Sequence, residues 1–325
     1  MKRAIAVTVV VAALAVGCGE EFDPFNEVTG LRVLAVRAEP PAIASFETAT
    51  LDALVYEPDD AAVSYRWSWC PMTLGSATGF ECAIEEEDLK AGLDAVAPGA
   101  SALVPSYDLG SEPTAAFDYL LPAAALTAMC DAIAAQSAPA FIELPACEGG
   151  FEITVRLEVE AGTEKVVAVK QLELLLAETE DANVNPVLGA VFAAPSSAGV
   201  DPRVEGSALA EESATELLAA TSYDLALDIP ENASQSYTPA PTADEPSPIA
   251  VRETLFLTWF VTGGETEAMR TGFIDGYDSM DALEENTWKT PDFLESAGAA
   301  EIILVLQDER GGVAWTRRSV ALSEE

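Results

Sequence analysis

Apolar and polar positions alternate along this chain in short runs, and the runs recur in a fixed order. In ETATLDALVYEP (47–58), Ala49, Leu51, Ala53 and Val55 alternate with more polar neighbours. VSYRWSW (63–69) places Val63, Tyr65, Trp67 and Trp69 on one side. FEITVRLEVEAGTEKVVAVKQLELLLA (151–177) sets Phe151, Ile153, Val155, Leu157 and Val159 against Glu, Thr and Arg, and turns at Ala-Gly-Thr. A period of two sends successive side chains to opposite faces of a strand. Each run therefore predicts a half-buried strand, and the last predicts a hairpin. LRVLAVRAEP (31–40) precedes them as a further strand.

The order then repeats. PVLGAVFAAP (186–195) echoes 31–40, TSYDLALDIP (221–230) echoes the second strand, and ETLFLTWFVTGG (253–264) echoes the Trp strand. AEIILVLQDERGGVAWTRRSVALS (300–323) echoes the hairpin, with Glu309-Arg310-Gly311-Gly312 at its turn. Four matched segments in one order predict two copies of one module. They would occupy residues 30–177 and 186–325, joined by the polar stretch ETEDANVN (178–185). An insert of about 71–147 is expected in the first copy. Within it PAAALTAMCDAIAA (122–135) predicts a helix. Pro122 suits a first turn, and Leu126, Met129, Cys130 and Ile133 share a face at i, i+3, i+4 and i+7. In the second copy SYTPAPTADEPSPI (236–249), with its four prolines, reads as an extended loop.

Two modules of alternating strands, each with a Trp on a central strand, resemble the immunoglobulin-like sandwich. The resemblance covers roughly 28–178 and 184–325. It implies a mainly β chain of two immunoglobulin-like β-sandwich domains, the first with a helical, disulfide-bearing insert. The antibody spacing of Cys, Trp and Cys is missing, because Cys70 directly follows Trp67 and Trp69. An immunoglobulin-like or fibronectin-like relative is implied instead of an antibody domain.

The N-terminus follows a different pattern. Met1-Lys2-Arg3 is positive, and Ala4 to Val16 is apolar apart from Thr8. That run is too short to span a bilayer and suits a signal-peptide core. Ala15-Val16-Gly17-Cys18 resembles the lipobox of bacterial lipoproteins, with Ala15 where that family prefers Leu and Leu14 one step earlier. The resemblance implies that residues 1–17 are removed and that Cys18 carries acyl chains, palmitate among them. It implies anchoring in the cell envelope. Gly19, in place of an inner-membrane-retaining Asp, points to the outer membrane, at its periplasmic or surface face. Residues 18–29 would then form an acidic tether. An ordinary secretory signal with an incidental Cys18 is the alternative.

With Cys18 assigned to lipid, Cys70, Cys82, Cys130 and Cys147 remain. An even number in an exported chain reads as two disulfides. Of the three pairings, the local pairs Cys70–Cys82 and Cys130–Cys147 are expected. A Cys-only zinc site is the alternative.

Charge narrows the partners. There are 55 Asp and Glu against 16 Lys and Arg, a formal net charge of −39. No basic patch is available to displace counterions, so nucleic acid is excluded as a partner, and attraction to an anionic bilayer surface is not expected. A solvated acidic coat accounts for the charge. Histidine is absent, which removes Ser-His-Asp triads, Cys-His pairs and His-ligated metals. No P-loop, GxGxxG or GxSxG occurs.

Acidic clusters are the only candidates for chemistry. Glu85-Glu86-Glu87-Asp88 suits a helix start, where carboxylates favour the dipole. Glu178, Glu180 and Asp181 fall at the domain junction. Asp275, Asp278, Asp281 and Glu284 recur every third residue and are weak calcium candidates, without the ligand order of an EF-hand. Trp288, in the polar stretch EENTWKTPDF, is either a tucked aromatic or a surface contact for sugar or protein. No catalytic residue and no cofactor is expected. The leading reading is a non-enzymatic, membrane-anchored lipoprotein with a structural, adhesion or envelope-complex role. A second is a carbohydrate- or protein-binding module of the cell surface. A third, a carboxylate-dependent hydrolase, needs two carboxylates facing each other across a cleft.

Overall fold

The computed structural model of the chain describes residues 24–134, 150–176, 179, 181–239, 247–292 and 296–324. The first half contains strands β1 (Arg32–Glu39), β2 (Ala42–Ile43), β3 (Glu47–Tyr56), β4 (Val63–Cys70), β5 (Asp108–Gly110), β6 (Ala115–Tyr119), β7 (Gly150–Ala161) and β8 (Glu164–Leu175). They build two sheets, β1-β3-β6 and β2-β8-β7-β4-β5. Pro40 and Pro41 interrupt the ladder after β1, because proline has no N–H to give it, and the chain crosses there to lie parallel to β8 as β2. Ala49 and Leu51 from one sheet meet Trp67, Trp69, Val155 and Leu157 from the other in a single core.

The second half repeats this arrangement. Its strands are β9 (Val191–Pro195), β10 (Ser207–Ala208), β11 (Thr215–Leu218), β12 (Ser222–Leu227), β13 (Ser236–Tyr237), β14 (Val251–Arg252), β15 (Leu255–Val261), β16 (Glu265–Thr266), β17 (Arg270–Phe273), β18 (Glu285–Lys289), β19 (Ala299–Asp308) and β20 (Val313–Ser323). The sheets are β10-β9-β12-β18-β16 and β11-β20-β19-β15-β17, with β13 and β14 paired separately. In immunoglobulin lettering each half has an A-B-E sheet facing an A′-G-F-C-C′ sheet. The A′ strand runs parallel to G in both copies, β2 along β8 and β11 along β20. The C-strand tryptophans Trp67 and Trp259 are fully buried in separate cores. The molecule is mainly β, with two immunoglobulin-like sandwiches.

The expected insert of 71–147 needs correction. It is interrupted by β5 and β6, which belong to the sandwich. β6 pairs with β3 from Glu47↔Tyr119 to Leu51↔Ala115 and buries Phe117 and Tyr119. A five-residue strand offers only three inward positions, here Ala115, Phe117 and Tyr119, too few for alternation to stand out in the sequence. The inserted segments are therefore 71–107 and 120–149. The first carries α1 (Glu86–Val96), with Glu86, Glu87 and Asp88 in its first turn. The Glu86 carboxylate accepts a hydrogen bond from the Tyr107 backbone N–H at 3.0 Å, and Leu93 buries against the first core. The second carries α2 (Ala123–Ala134), on which Leu126 and Cys130 are buried as the periodicity implied. Two short helices, α3 (Pro202–Glu205) and α4 (Met280–Glu284), lie in the second half.

The acidic tether also ends earlier than residue 29. Asn26 and Val28 are buried. Val28 N–H donates to the Val261 carbonyl at 2.8 Å, and Val261 N–H donates to the Asn26 carbonyl at 2.9 Å. The Asn26 amide reaches the Trp259 carbonyl and the Thr266 hydroxyl. Residues 26–28 thus extend the second sandwich before the chain enters β1 of the first.

The two sandwiches lie side by side. Leu34, Ala35 and Leu54, on the outer face of the β1-β3-β6 sheet, pack against Phe260, Ile303, Val305 and Val313 of the second sandwich. Strand β19 is consequently buried on both faces. Ile302, Leu304 and Leu306 fill the second core, while Ile303 and Val305 fill the joint. Two-sided burial is the physical reason that IILVL is apolar without alternation.

Candidate functional site: the joint between the sandwiches

Three of the five buried charged side chains among the described residues, Lys170, Glu253 and Asp308, lie at the joint. Lys170, on β8 of the first sandwich, is 7% exposed, and its ammonium donates to the Gly311 carbonyl in the β19–β20 turn of the second. Asp308, at the end of β19, is 6% exposed. Its Oδ1 accepts from Gly312 N–H at 2.7 Å, Arg310 N–H at 2.9 Å and the Asn183 amide at 3.3 Å. Burial pulls Lys170 down to about 8, against the attraction of Asp308 and Glu152. Burial pushes Asp308 up, and the donors on its Oδ1 and the nearby Lys170 oppose that shift.

This packing requires glycine in the turn. A Cβ at residue 312 would stand 2.1 Å from Asp308 Oδ2, and residue 311 has a positive φ of 93°. Arg310 pairs with Glu253 at 3.1 Å, donates to the Asp181 carbonyl and covers the Tyr237 ring at 4.4 Å. Glu253 is fully buried, and burial raises its pKa against the pull of Arg310 and the Gln235 N–H. The stretch expected to be a featureless linker is fastened here. The Asn185 amide donates to the Ala38 carbonyl at 2.8 Å, while its carbonyl accepts from Val313 N–H at 2.8 Å. One side chain therefore ties both sandwiches together.

Towards the other end of the joint the contacts are cation–aromatic. Arg37 lies over Trp315 at 4.4 Å, and Arg317 lies over Tyr56 at 5.7 Å. Arg32 lies over Phe25 at 4.5 Å and Phe260 at 5.4 Å, so it clasps the N-terminal segment. Arg32, Arg37, Lys170 and Arg317 thus bridge the two bodies. A cleft of about 410 Å³ opens between the sandwiches beside Lys170, Gln171, Asp308 and Phe256. Of its charged groups, Lys170 donates to the Gly311 carbonyl, Asp308 Oδ1 accepts from the Gly312 and Arg310 N–H groups, and Glu309 accepts from the Tyr237 hydroxyl.

The residues singled out from the sequence fare differently. Cys70 and Cys82 form a disulfide with Cα atoms 5.6 Å apart. Cys130 is disulfide-bonded, and its expected partner Cys147 lies outside the described residues. Cys18, Glu178 and Glu180 also lie outside them. Asp275, Asp278 and Asp281 are exposed and are not gathered into a ligand set; among the described residues no cluster of three such side chains could hold a metal ion. The Asp278 carboxylate instead accepts the Ile274 N–H. Trp288 sits on β18, fully buried, with its indole N–H on the Gly263 carbonyl, which removes it as a surface contact. Lys170, Asp308 and Asn185 gave no sequence signal, because each acquires its role only from the opposite sandwich.

Buried acids elsewhere have structural partners. Glu284 is held by Arg203 at 2.6 Å and by the Ile229 N–H. A surface concavity between Asp201 and Thr287 contains Asp224 and Glu285. Asp224 accepts from Ser196 and Thr287, and Glu285 pairs with Arg203.

Neither a family model nor a curated protein sequence matches this chain. Among solved structures, murine CEACAM1b is similar at 9% identity and a TM-score of 0.20, covering 89% of this chain and 98% of that one. The three N-terminal domains of the highly immunogenic outer capsid protein of bacteriophage RB49 are similar at 8% identity and a TM-score of 0.17. They cover 91% of this chain and 100% of that chain. Superposition at these scores carries no argument. The assignment to tandem immunoglobulin-like sandwiches rests on strand order, sheet pairing and the two tryptophan cores.

Proposed function

We propose that this protein is a lipid-anchored envelope module, held at the outer membrane through Cys18, with a structural or adhesive role and no catalytic one. The observation that carries it is the lipobox-like Ala15-Val16-Gly17-Cys18, followed after a short acidic stretch by two filled sandwiches. The perturbed acids support the non-enzymatic part. Glu253 and Glu284 are each paired with an arginine within the fold, which leaves them unsuited to proton transfer on a ligand. Partners on this reading are the bilayer, and an envelope protein or polysaccharide.

Anchoring is tested by expressing the chain and Cys18→Ser in a bacterial host. The parent is expected in the detergent phase and the variant in the aqueous phase. Identical partitioning removes the reading. A second reading, a surface binding module, is favoured by exposed apolar side chains on inserted loops. Tyr277 is 89% exposed, and Leu74 and Ile249 are exposed as well. Loops on a rigid sandwich are where recognition resides. Glycan-array binding that is lost in Tyr277→Ala would establish it.

A further inference from the structure

Where the chain enters the folded body has a consequence for how the whole molecule meets a bilayer. The first described residues, Pro24 to Val28, dock at the Val261 end of β15, under the Arg32 clasp. At the same end of the molecule lie the 57–62 connection, the β7–β8 turn at 162–163, the 219–221 link, the 262–264 turn, and residues 290–292 and 296–298. Registers and contacts place them together. Arg32 pairs with Tyr56, and Leu31 N–H reaches the Glu164 carboxylate. Arg317 lies over Tyr56 and pairs with Glu301, while the Thr262 N–H donates to the Glu301 carbonyl.

The longer inserted segments emerge at the opposite end. Segment 71–107 follows Cys70, which pairs with Thr154, far from the β7–β8 turn. Helix α2 follows Tyr119, whose carbonyl accepts from Phe46. In the second sandwich, 247–254 precedes Leu255, and 274–284 follows Phe273, which pairs with Leu255. Phe46, Leu74, Leu120, Ile249, Ile274 and Tyr277 are exposed apolar residues of the insert-bearing end, and Phe25 is one at the anchored end.

We propose that the end carrying Pro24, formed by both sandwiches together, is the bilayer-facing surface, and that α1, α2 and the 274–284 segment are displayed on the side away from the lipid. This rests on the lipid-anchor reading of Cys18. A chain with two sandwiches in series would instead place the first near the membrane and the second beyond it. Two lengths decide between these poses. From Cys18 to Pro24 the chain spans at most about 20 Å. The 12 residues of β7 span roughly 40 Å from one end of the sandwich to the other. The insert-bearing end therefore lies beyond the reach of the anchor, and the docking of residues 26–28 on β15 brings the second sandwich down beside the first. Charge sets the contact as a light one. Glu27, Asp59, Asp60, Glu265 and Asp292 occupy the anchored end, so anionic headgroups repel it and do not draw the body flat.

The experiment uses the full chain, purified with its native acylation and reconstituted in phosphatidylcholine vesicles containing a headgroup-located quencher lipid. Fluorophores are attached singly at Thr163→Cys and Glu265→Cys, at the anchored end of each sandwich, and at Ser76→Cys and Asp275→Cys, at the insert-bearing end. Circular dichroism and unfolding midpoints equal to the parent's qualify each variant. The expected result is severalfold stronger quenching at Thr163→Cys and Glu265→Cys than at the other two sites. Adding phosphatidylglycerol should not raise quenching at Ser76→Cys or Asp275→Cys. Quenching confined to the first-sandwich sites, or equal at all four, overturns the orientation while leaving the anchor in place. Mass spectrometry showing an unacylated N-terminus, with the parent and Cys18→Ser equally absent from vesicles, overturns the anchor and the orientation with it.

Discussion

Lys170 illustrates what a single side chain does in this fold. Its amine is buried in the joint, and burial lowers its pKa to about 8 from an ordinary 10.5. Between those values the unfolded chain binds more protons than the folded one, so stability rises with pH through that window. Below about 8 both states are protonated and the cost of burying the charge is fully present. In Lys170→Met this pH dependence should vanish. The stability difference, parent minus Lys170→Met, should be flat below pH 8 and climb from there to pH 10 by up to about 3 kcal/mol, as measured by urea unfolding. A flat difference across pH 8–10 would refute the buried-amine account. Trp259 makes the opposite kind of contribution, being apolar and fully enclosed, with its indole N–H on the Thr271 hydroxyl. Trp259→Ala is expected to cost about 3–5 kcal/mol by the same measurement. The tryptophan cores were legible from period-two spacing alone, whereas nothing around Lys170 in sequence distinguishes it from a surface lysine.

At the scale of elements, the paired hairpins β7–β8 and β19–β20 follow directly from alternation and turn chemistry. Strands β5 and β6 do not, because short edge-like strands leave little pattern to count. The same limit hid β18, where Trp288 sits among polar neighbours whose side chains face the other side of the sheet. The Cys70–Cys82 disulfide closes a loop of sequence separation 12 after β4. Replacing both cysteines with serine should lower stability by about 3 kcal/mol, read from denaturant unfolding. The cystine pins the start of the segment that leads to α1 and β5. Hydrogen exchange should therefore accelerate in 71–110 before it does in the second sandwich.

For the whole molecule, the joint couples two bodies that each have a complete core. Ile303 contributes to that joint and points away from the second core. Ile303→Asn should leave both cores intact while separating their unfolding, so that one calorimetric transition becomes two. A single undivided transition in this variant would mean that the joint is not the source of coupling. Net charge acts at the same scale. With −39 formal charges the folded body repels itself, and raising salt should lift the melting temperature by a few degrees. Mild acid should act in the same direction. Burial raises the pKa of Glu173, Glu253, Glu284 and Asp308, so the folded state takes up protons before the unfolded chain does as pH falls towards the ordinary acid range.

By itself the sequence determined the class of fold, the repetition of one module and the acidic character of the surface. Those features depend on residues close together along the chain, where a period of two, a turn signal or a short loop is visible. Tertiary structure alone decided that the sandwiches lie side by side, that residues 26–28 join the second before the chain begins the first, and that Lys170 meets the turn of Asp308 and Gly312. Such contacts join positions more than a hundred residues apart, and their free energy comes from burial against a surface that no local pattern encodes.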